Sequence, residues 1–379
     1  MKKTLAAVAV LGAFAGSALA ADVQLYGIVD TGVGYTHTDA DGLLDNGVDQ
    51  SKDSFSMKSG QASGSRFGFK GTEDLGNGLT VGFILEDGIP SDDGAESGVM
   101  FNRESSLFVE GGFGKFAMGR IGSINNGQSS WAKVGMISAF GTSDWGGYSA
   151  QVGNIMSTAG QWDNMIAYQT PDFAGFKVYA QYGMGSNDHE NESSSDRYYA
   201  LGATYNNGPL AGYFAIDSIN YESVVNKDVD DSLTVTLGGS YDFEVVKVYL
   251  GGQYFDEVKA SSLNGVTEDF ADWNDKTDKV KGYALTLSAD APVAGGKAMF
   301  GVGYFDAEQA DSVEDNLGEK YDFSRFVVSV GYDYPFSKRT DIYAVASYMQ
   351  DSIEDKTDAK EFDSDPSAYA VYVGLRHRF

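Results

Sequence analysis

Three histidines and no cysteine are the chain's stock of the residue types most used for nucleophilic and metal chemistry. His37, His189 and His377 are far apart in the sequence, and no Gly-x-Ser-x-Gly elbow supplies a nucleophile for any of them. The run 112–114 matches the beginning of a dinucleotide fingerprint, but no helical pattern follows it. Metal ligands at the usual spacings are also missing. The sequence therefore predicts a protein that is not an enzyme and binds no cofactor or metal.

Charged residues that alternate with apolar ones indicate chemistry of a different kind. Phe67 and Phe69 share one parity of an extended segment, so Arg66 and Lys70 must point together to its other side. Charges fixed in a low-dielectric wall act on passing ions through their field. The pattern predicts a strand with one apolar face and one cationic face.

The end of the chain shows the same alternation. Tyr369, Val371 and Val373 share one face, while Arg376 and Arg378 share the other. A strand with two such faces lies between two different surroundings, because successive side chains point to opposite sides. This fits either the wall of a membrane barrel or a strand of a soluble sandwich.

The connections between the alternating segments separate these two folds. No helical run or linker occurs after residue 21, and tight turns rich in Gly, Pro, Asn and Asp alternate with long connections. The long connections are residues 37–63, 89–99, 122–161, 185–195, 221–231, 259–279, 308–322 and 351–367. Long loops at one end and tight turns at the other are typical of outer-membrane barrels.

The number of segments favours an open barrel. Sixteen alternating segments can be counted, an even number, as a closed barrel with both termini on one side requires. A soluble fold of this length would need several sandwiches joined by linkers. Sixteen strands in one ring enclose a water-filled channel. We therefore predict an all-β fold: a 16-stranded antiparallel transmembrane β-barrel over residues 21–379.

The N-terminus has the pattern of an export signal. Lys2 and Lys3 precede an apolar stretch that ends in Ala18-Leu19-Ala20, which predicts a signal peptide over residues 1–20. Loss of its two lysines takes the net charge from −27 to −29. So acidic a chain is not expected to bind nucleic acid, since phosphate contacts need a basic surface. The mean hydropathy of −0.26 does not conflict with a barrel, because half of each strand is polar.

Several motifs in this order resemble the general diffusion porins of Gram-negative outer membranes, especially the neisserial and β-proteobacterial branch. They cover both ends and the middle of the mature chain. The motifs are Val23-Gln24-Leu25-Tyr26-Gly27, Ser65-Arg66-Phe67-Gly68-Phe69-Lys70-Gly71, Gly111-Gly112-Phe113-Gly114, Pro171-Asp172-Phe173-Ala174-Gly175-Phe176, Tyr334-Pro335-Phe336 and the terminal Leu375-Arg376-His377-Arg378-Phe379. The resemblance implies a passive channel for ions and small hydrophilic solutes.

The resemblance also implies an assembly and a constriction. It implies a homotrimer in the outer membrane, in contact with lipid and lipopolysaccharide, whose third long loop, residues 122–161, folds inward. The small outward residues of the first strand, among them Val29 and Val33, would suit either an oligomer contact or lipid. The terminal Phe379 would be the signal that the barrel-assembly machinery recognises.

The pore residues follow from parity and from the resemblance together. Arg66 and Arg103 match wall arginines of the family, Lys70 shares the face of Arg66, and Arg120 begins the inward loop. Gln169 stands where some members carry a third arginine. Asp144 is the loop's single carboxylate, and it is either the acidic partner of the wall or a solvated turn residue. The aromatic side chains of the loop are expected to pack it against the wall: Trp131, Phe140, Trp145 and Tyr148.

The outer loops are rich in Asp and Glu. They could form an anionic vestibule, bind divalent cations that bridge to lipopolysaccharide, or simply keep the loops soluble. With the net charge and Gln169, they predict a mild preference for cations. A substrate-selective channel and a surface adhesin without an open pore are the alternative functions, and conductance in planar bilayers separates them from a general porin.

Overall fold

The computed structural model describes residues 22–41, 51–95, 98–185, 195–221, 230–259, 279–312, 321–356 and 362–379. The predicted signal peptide, residues 1–20, and His189 lie outside these ranges, as do several acidic loop residues such as Asp45, Glu314 and Asp358. None of the helices in the described ranges has the length and apolar character to span a bilayer.

Almost all regular structure is β-strand. Two short 3₁₀ helices, Val134–Ile137 and Val152–Asn154, are the exceptions named among the described elements. The strands are β1 (Gln24–Asp39), β2 (Ser51–Ser59), β3 (Arg66–Gly76), β4 (Leu79–Gly88), β5 (Glu104–Gly111), β6 (Gly114–Gly122), β7 (Gln161–Gln169), β8 (Phe176–Gly183), β9 (Arg197–Asn207), β10 (Leu210–Asn220), β11 (Leu233–Asp242), β12 (Lys247–Lys259), β13 (Lys279–Val293), β14 (Gly296–Gln309), β15 (Tyr321–Pro335), β16 (Thr340–Asp355), β17 (Phe362–Ser364) and β18 (Ser367–Arg378).

These strands form one closed antiparallel barrel. Consecutive strands pair with each other except β2 with β3 and β17 with β18, and β18 pairs back onto β1 from Ile28↔Arg378 to Asp39↔Ser367. β2 and β3 pair with successive halves of β1 and so occupy one position in the wall. β17 and β18 likewise share one position beside β16. The eighteen strand segments therefore make sixteen wall positions, which confirms the predicted 16-stranded barrel.

The two faces of the wall differ as the alternation predicts. Leu250, Leu285 and Val371 are exposed on the outside, whereas Gln253 and Ser288 point inward and are buried. Exposed aromatic side chains border the apolar band at both ends. Tyr254, Tyr283, Tyr304, Tyr348 and Tyr369 lie toward the long loops, and Phe176, Tyr241, Phe243, Tyr334 and Phe336 lie toward the tight turns. Such aromatic girdles mark the two water interfaces of a membrane barrel.

Tight turns and long connections alternate around the ring. The connection between β13 and β14 is a two-residue turn, in which Ala294 and Gly295 both have positive φ. This is the type I′ geometry, whose twist matches that of the adjoining strands. The tight turns therefore lie at one end of the barrel and the long connections at the other.

The first long connection is shorter than the sequence indicated. Residues 37–63 were expected to be loop, but β1 continues to Asp39 and β2 begins at Ser51. The nine paired positions from Thr31↔Ser59 to Asp39↔Ser51 extend the wall beyond the apolar band. Only Phe55 and Met57 of β2 mark an apolar face, which is too short an alternation to reveal the strand, and Tyr35 adds a side-chain bond to the ladder by donating its hydroxyl to Asp53 Oδ1 at 2.6 Å.

Candidate pore constriction

Residues 123–160, between β6 and β7, lie inside the barrel. The apolar side chains of this inward loop, Ile124, Trp131, Val134, Ile137, Phe140, Trp145, Val152, Ile155 and Met156, are at most 5% exposed. They form one core with inward wall residues such as Tyr213 and Phe255. The loop therefore has its own hydrophobic contact with the wall, as the positions of Trp131, Phe140 and Trp145 led us to expect.

Glycines in the wall provide the space for these side chains. A Cβ atom at Gly202 would lie 2.3 Å from Ile124 Cδ1, and one at Gly303 would lie 2.2 Å from Ile155 Cδ1. At Gly238, the nearest atom would be Ile137 Cγ2 at 2.6 Å. Any larger residue at these positions would displace the loop, so the wall glycines act as seats for it.

Polar side chains of the wall bind the loop backbone all around the ring. Gln181 on β8 accepts from Ile124 N at 2.7 Å, and Gln253 on β12 accepts from Ser157 N at 2.7 Å. Ser288 on β13 accepts from Ala139 N, Ser329 on β15 accepts from Ala150 N, and Arg325 donates to Asn154 O at 2.9 Å. Each bond satisfies a backbone group that would otherwise be buried without a partner. The loop is thereby fixed from β8 round to β15.

A cavity of ≈ 430 Å³ remains between the loop and the wall formed by β1, β3, β4 and β5. A second cavity of ≈ 470 Å³ adjoins it, and Arg103, Gln128 and Asp144 line both. These three side chains therefore lie where the two water-filled spaces meet. We call this place the constriction.

The two wall arginines at the constriction share one carboxylate. Glu86 Oε1 is 2.7 Å from Arg103 Nε, and Glu86 Oε2 is 3.5 Å from Arg66 Nε. Tyr26 donates its hydroxyl to Glu86 Oε2 at 2.9 Å. Arg103 also donates to Gln128 Oε1 of the inward loop at 2.9 Å. The arginines are thus held against the wall by Glu86, and Arg103 is tied to the loop as well.

Asp144 faces this cluster from the loop without pairing to it. Among the described residues, no ion pair within 4.0 Å joins its carboxylate to Arg66 or Arg103. The surrounding loop and wall remove part of its hydration and raise the pKa of Asp144, while Lys58 and Gln61 act in the opposite direction. Its side chain remains exposed to the lumen, opposite the arginines.

A third carboxylate lines the first cavity. Glu104, at the start of β5, accepts from the backbone and hydroxyl of Ser130 at 2.8 and 3.0 Å and from Ser106 at 2.8 Å. It is buried, and neutral donors satisfy both of its oxygens. Glu104 therefore places a negative charge beside the lumen and also ties the loop to β5.

Two of the five predicted pore residues lie outside the constriction. Lys70 is four residues farther along β3, with Nζ 5.2 Å from the centroid of the Tyr26 ring. Arg120 forms an ion pair with Asp163 at 2.5 Å and donates to Asn102 O at 2.8 Å. Neither lines the first cavity, whereas Arg66, Arg103 and Asp144 do.

Sequence reasoning missed Glu86 and Glu104, although the same parity argument would have found Glu86. Phe83 and Leu85 point outward as Phe67 and Phe69 do, so Glu86 must point inward on β4. The antiparallel register then places Glu86 opposite Gly68, which is the next inward-facing residue after Arg66 on β3. Glu104 has a weaker signal, because Phe108 on the same inward face is apolar and packs beneath the loop.

The terminal residue closes the ring. Phe379 N donates to Gly27 O at 3.0 Å, and Gly27 N donates to Phe379 O at 3.1 Å. A Cβ at Gly27 would lie 2.3 Å from Phe379 Cζ, so the ring rests directly on the glycine. The carboxyl-terminal residue therefore contributes to the seam between β18 and β1.

Comparisons with known proteins agree with this architecture. A sequence profile described as Gram-negative porin matches residues 6–354. The chain is 34% identical to an outer membrane porin protein of Bordetella pertussis and 30% identical to the major outer membrane protein P.IB of Neisseria meningitidis, each over 100% of both chains. Among solved structures, the anion-selective porin from Comamonas acidovorans is similar with a TM-score of 0.64 and 26% identity, covering 95% of this chain and 100% of its own.

Proposed function

The chain belongs to the Gram-negative porin family and forms a passive diffusion channel in the outer membrane, and we propose that the charges at its constriction give this channel a mild preference for cations. The two cavities that meet there are lined by the cations Lys58, Arg66 and Arg103. They are also lined by four carboxylates, those of Glu86, Asp92, Glu104 and Asp144. Negative charge is therefore in slight excess at the constriction.

The single observation that carries this proposal is the position of Glu86 between Arg66 and Arg103. A carboxylate within ion-pair distance of two guanidinium groups cancels much of their field in the lumen. The solved porin from Comamonas acidovorans is named for anion selectivity. In this chain, Glu86 offsets one of the two guanidinium charges, and the carboxylates of Asp92, Glu104 and Asp144 line the same cavities, which supports the opposite sign.

The test is the reversal potential of the purified protein in a planar bilayer under a KCl gradient. We expect ohmic channels with a potential of the sign that K⁺ permeation produces. A potential of the opposite sign would mean that the arginines dominate despite Glu86. Channels that saturate with one solute would instead favour a substrate-selective pore, and an absence of conductance would favour a closed adhesin.

We propose a homotrimer whose contact includes the outer face of β1. Its outward residues Val29 and Val33 are exposed and smaller than the aromatic and leucine side chains that cover the opposite wall. Small side chains allow two membrane surfaces to approach closely. Chemical cross-linking of the protein in native outer membranes tests this, and a product limited to monomers would contradict it.

We propose lipopolysaccharide as the partner of the outer rim. The long connections and the adjoining strand ends lie beyond Tyr254 and Tyr283 of the outer aromatic girdle, at the level of the lipid headgroups. Lys281 and Lys356 line a groove there and are each paired with carboxylates, Lys281 with Glu308 and Asp311 and Lys356 with Asp322 and Glu354. Lipopolysaccharide that co-purifies with the protein would support this assignment, and its absence would oppose it.

The remaining proposals concern biogenesis and catalysis. We propose that residues 1–20 are removed on export, which N-terminal sequencing of the mature protein tests, and that the barrel-assembly machinery recognises Phe379. We also propose that the channel has no catalytic activity. The lumen residues Glu86, Arg103, Glu104 and Arg325 are engaged in ion pairs and loop contacts, which supports a structural and electrostatic role for them.

A further inference from the structure

Three lysines lie together at the face of the inward loop that is turned toward the tight turns. Lys115 is the second residue of β6, and Lys177 is the second residue of β8, so both point into the barrel near its periplasmic end. Lys133 is on the inward loop, immediately before its first 3₁₀ helix. Wall and loop therefore contribute cations to one region below the constriction.

Neighbouring aromatic side chains surround these lysines, and the charges of Lys115 and Lys177 both act on Lys133. Lys115 Nζ lies 3.9 Å from the ring centroid of Phe108 and 5.5 Å from that of Trp131. Lys133 Nζ lies 5.8 Å from the ring centroid of Tyr179, which is two residues from Lys177 on the same inward face of β8. The Phe108 ring faces the Lys115 ammonium group itself, and all three lysine side chains are only half-buried, so part of each remains at the lumen.

No carboxylate neutralises this lysine cluster at close range. Within the described residues, no Asp or Glu oxygen lies within 4.0 Å of the Nζ of Lys115, Lys133 or Lys177, whereas Arg66, Arg103 and Lys279 all have such a partner. Glu104 and Glu110 are the nearby carboxylates: donors from Ser106 and Ser130 occupy the oxygens of Glu104, and Glu110 lies opposite Lys115 in the β5–β6 ladder, beyond ion-pair distance. Half-buried like charges without counterions are costly, so this arrangement is suited to a mobile anion.

We propose that Lys115, Lys133 and Lys177 form a binding site for small oxyanions, phosphate or carboxylate groups, on the periplasmic side of the constriction. Lys133 donates one hydrogen to Ser130 O at 2.7 Å, which leaves two for a ligand. The ammonium groups of Lys115 and Lys177 approach from the wall, so one oxyanion can accept from both wall and loop. The site is separate from the constriction and does not depend on the ion preference proposed there.

The placement has a consequence for permeation. Carboxylates line the constriction, while the lysine cluster follows it toward the periplasm. An anion that passes the constriction therefore meets a region of favourable potential before it leaves the channel. Oxyanions should reside there longer than chloride, because they offer several acceptor oxygens to the three ammonium groups.

Block of chloride current by inorganic phosphate tests the site. The probe is added to single wild-type channels in KCl, and the concentration for half-maximal block is compared with that of K133M, K115M and K177M. Each Lys→Met change keeps the length of the stem and removes one charge. We expect saturable block in the wild type and a half-maximal concentration at least about 10-fold higher in each variant, as the loss of a charge-assisted hydrogen bond predicts.

K247M is the matched control. Lys247 also lies near the periplasmic end of its strand and covers an aromatic ring, with Nζ 5.0 Å from the Tyr249 centroid, but it is on β12, away from the cluster. Its half-maximal concentration should stay within about twofold of the wild type. Absence of saturable block in the wild type would overturn the proposal, and so would an equal loss in K247M. Conductance in KCl alone reports channel formation by each variant, independently of oxyanion binding.

The pH dependence of block provides a second readout. Burial, followed by the like charges of Lys115 and Lys177, lowers the pKa of Lys133 to about 8, and Glu104 acts in the opposite direction. Lys133 is therefore cationic below this value and loses its charge above it. With sulfate, whose own charge is constant over this range, block should weaken as the pH rises through about 8. K133M should abolish this step, and a step that persists in K133M would assign it to another group.

Discussion

At the scale of single residues, the function depends on which charges are neutralised and which remain available. Arg66 and Arg103 were predictable from strand parity and family resemblance, but their partner Glu86 was not identified. The sequence therefore predicted the mild cation preference from the net charge and Gln169, without the carboxylate that offsets part of the field of the arginines. The register of β3 and β4, which a sequence alone does not supply, is what places one carboxylate between them.

Replacing Glu86 by Gln should shift the channel toward anions. The change frees the field of two guanidinium groups, and a unit charge about 4 Å away is worth roughly 1 kcal/mol even in water, a factor of about five in relative permeability. The reversal potential under a KCl gradient measures this shift. Glu73→Gln, on the exposed end of β3, is the control and should leave the potential unchanged. An unchanged potential in E86Q would contradict the role assigned to Glu86.

At the scale of elements, the inward loop is the feature that the sequence described best in outline and least in detail. Its limits were correct, since β6 ends at Gly122 and β7 begins at Gln161. Its buried aromatic residues were also expected. Its route could not be predicted, because that route depends on glycine seats and polar anchors contributed by strands far away in the sequence, such as Gly303 and Gln253.

Gly202→Ala should displace the loop at one seat. The new Cβ would meet Ile124 Cδ1 at 2.3 Å, and overpacking of this kind costs about 1–3 kcal/mol. Ile124→Ala removes the opposing atoms, so the double variant should be more stable than the two single effects predict when added. Denaturant unfolding in lipid vesicles gives the three free energies. Strict additivity would mean that Gly202 and Ile124 do not share a contact.

Arg325→Met should weaken the attachment of the loop to β15. Arg325 makes a bidentate pair with Asp351, at 2.6 and 2.9 Å, and also donates to Asn154 O of the loop. Removing one member of a buried pair costs about 3–5 kcal/mol, because the other charge stays in a poorly solvated place. Unfolding measurements should show this loss, and R325M/D351L should recover most of it. A loss that is equally large in the double variant would trace the effect to the loop contact instead.

At the scale of the whole molecule, sixteen wall positions were predictable because each strand repeats the same alternation. The number of strands follows from counting the alternating segments, and this number is even, as a closed barrel with both termini on one side requires. The split of one wall position into β2 and β3, with residues 60–65 between them, could not be read from the sequence. The segment turns inward so that Ala62 N and Ser63 N can donate to buried Asp30 at 2.9 and 2.7 Å.

Phe379→Ala separates the two roles of the terminal residue. The backbone pair with Gly27 survives the change, so refolded protein should lose only about 1–2 kcal/mol from a half-exposed ring. The amount of assembled protein in cell outer membranes should fall much more if the aromatic group is also a recognition signal. Quantitative immunoblotting of membranes measures this, with refolding yield in vesicles as the control. A proportionate loss in both assays would leave only the structural role.

The anchors of the inward loop also imply an order of events during biogenesis. Its contacts are distributed over strands from β5 to β18, among them Glu104, Gln253, Ser329 and Tyr372. Two of these four contacts, Ser329 and Tyr372, are on β15 and β18, which are synthesised long after the loop itself. We therefore expect the loop to reach its full set of contacts only when β18 meets β1, so that the narrow point of the channel becomes fixed as the wall is completed.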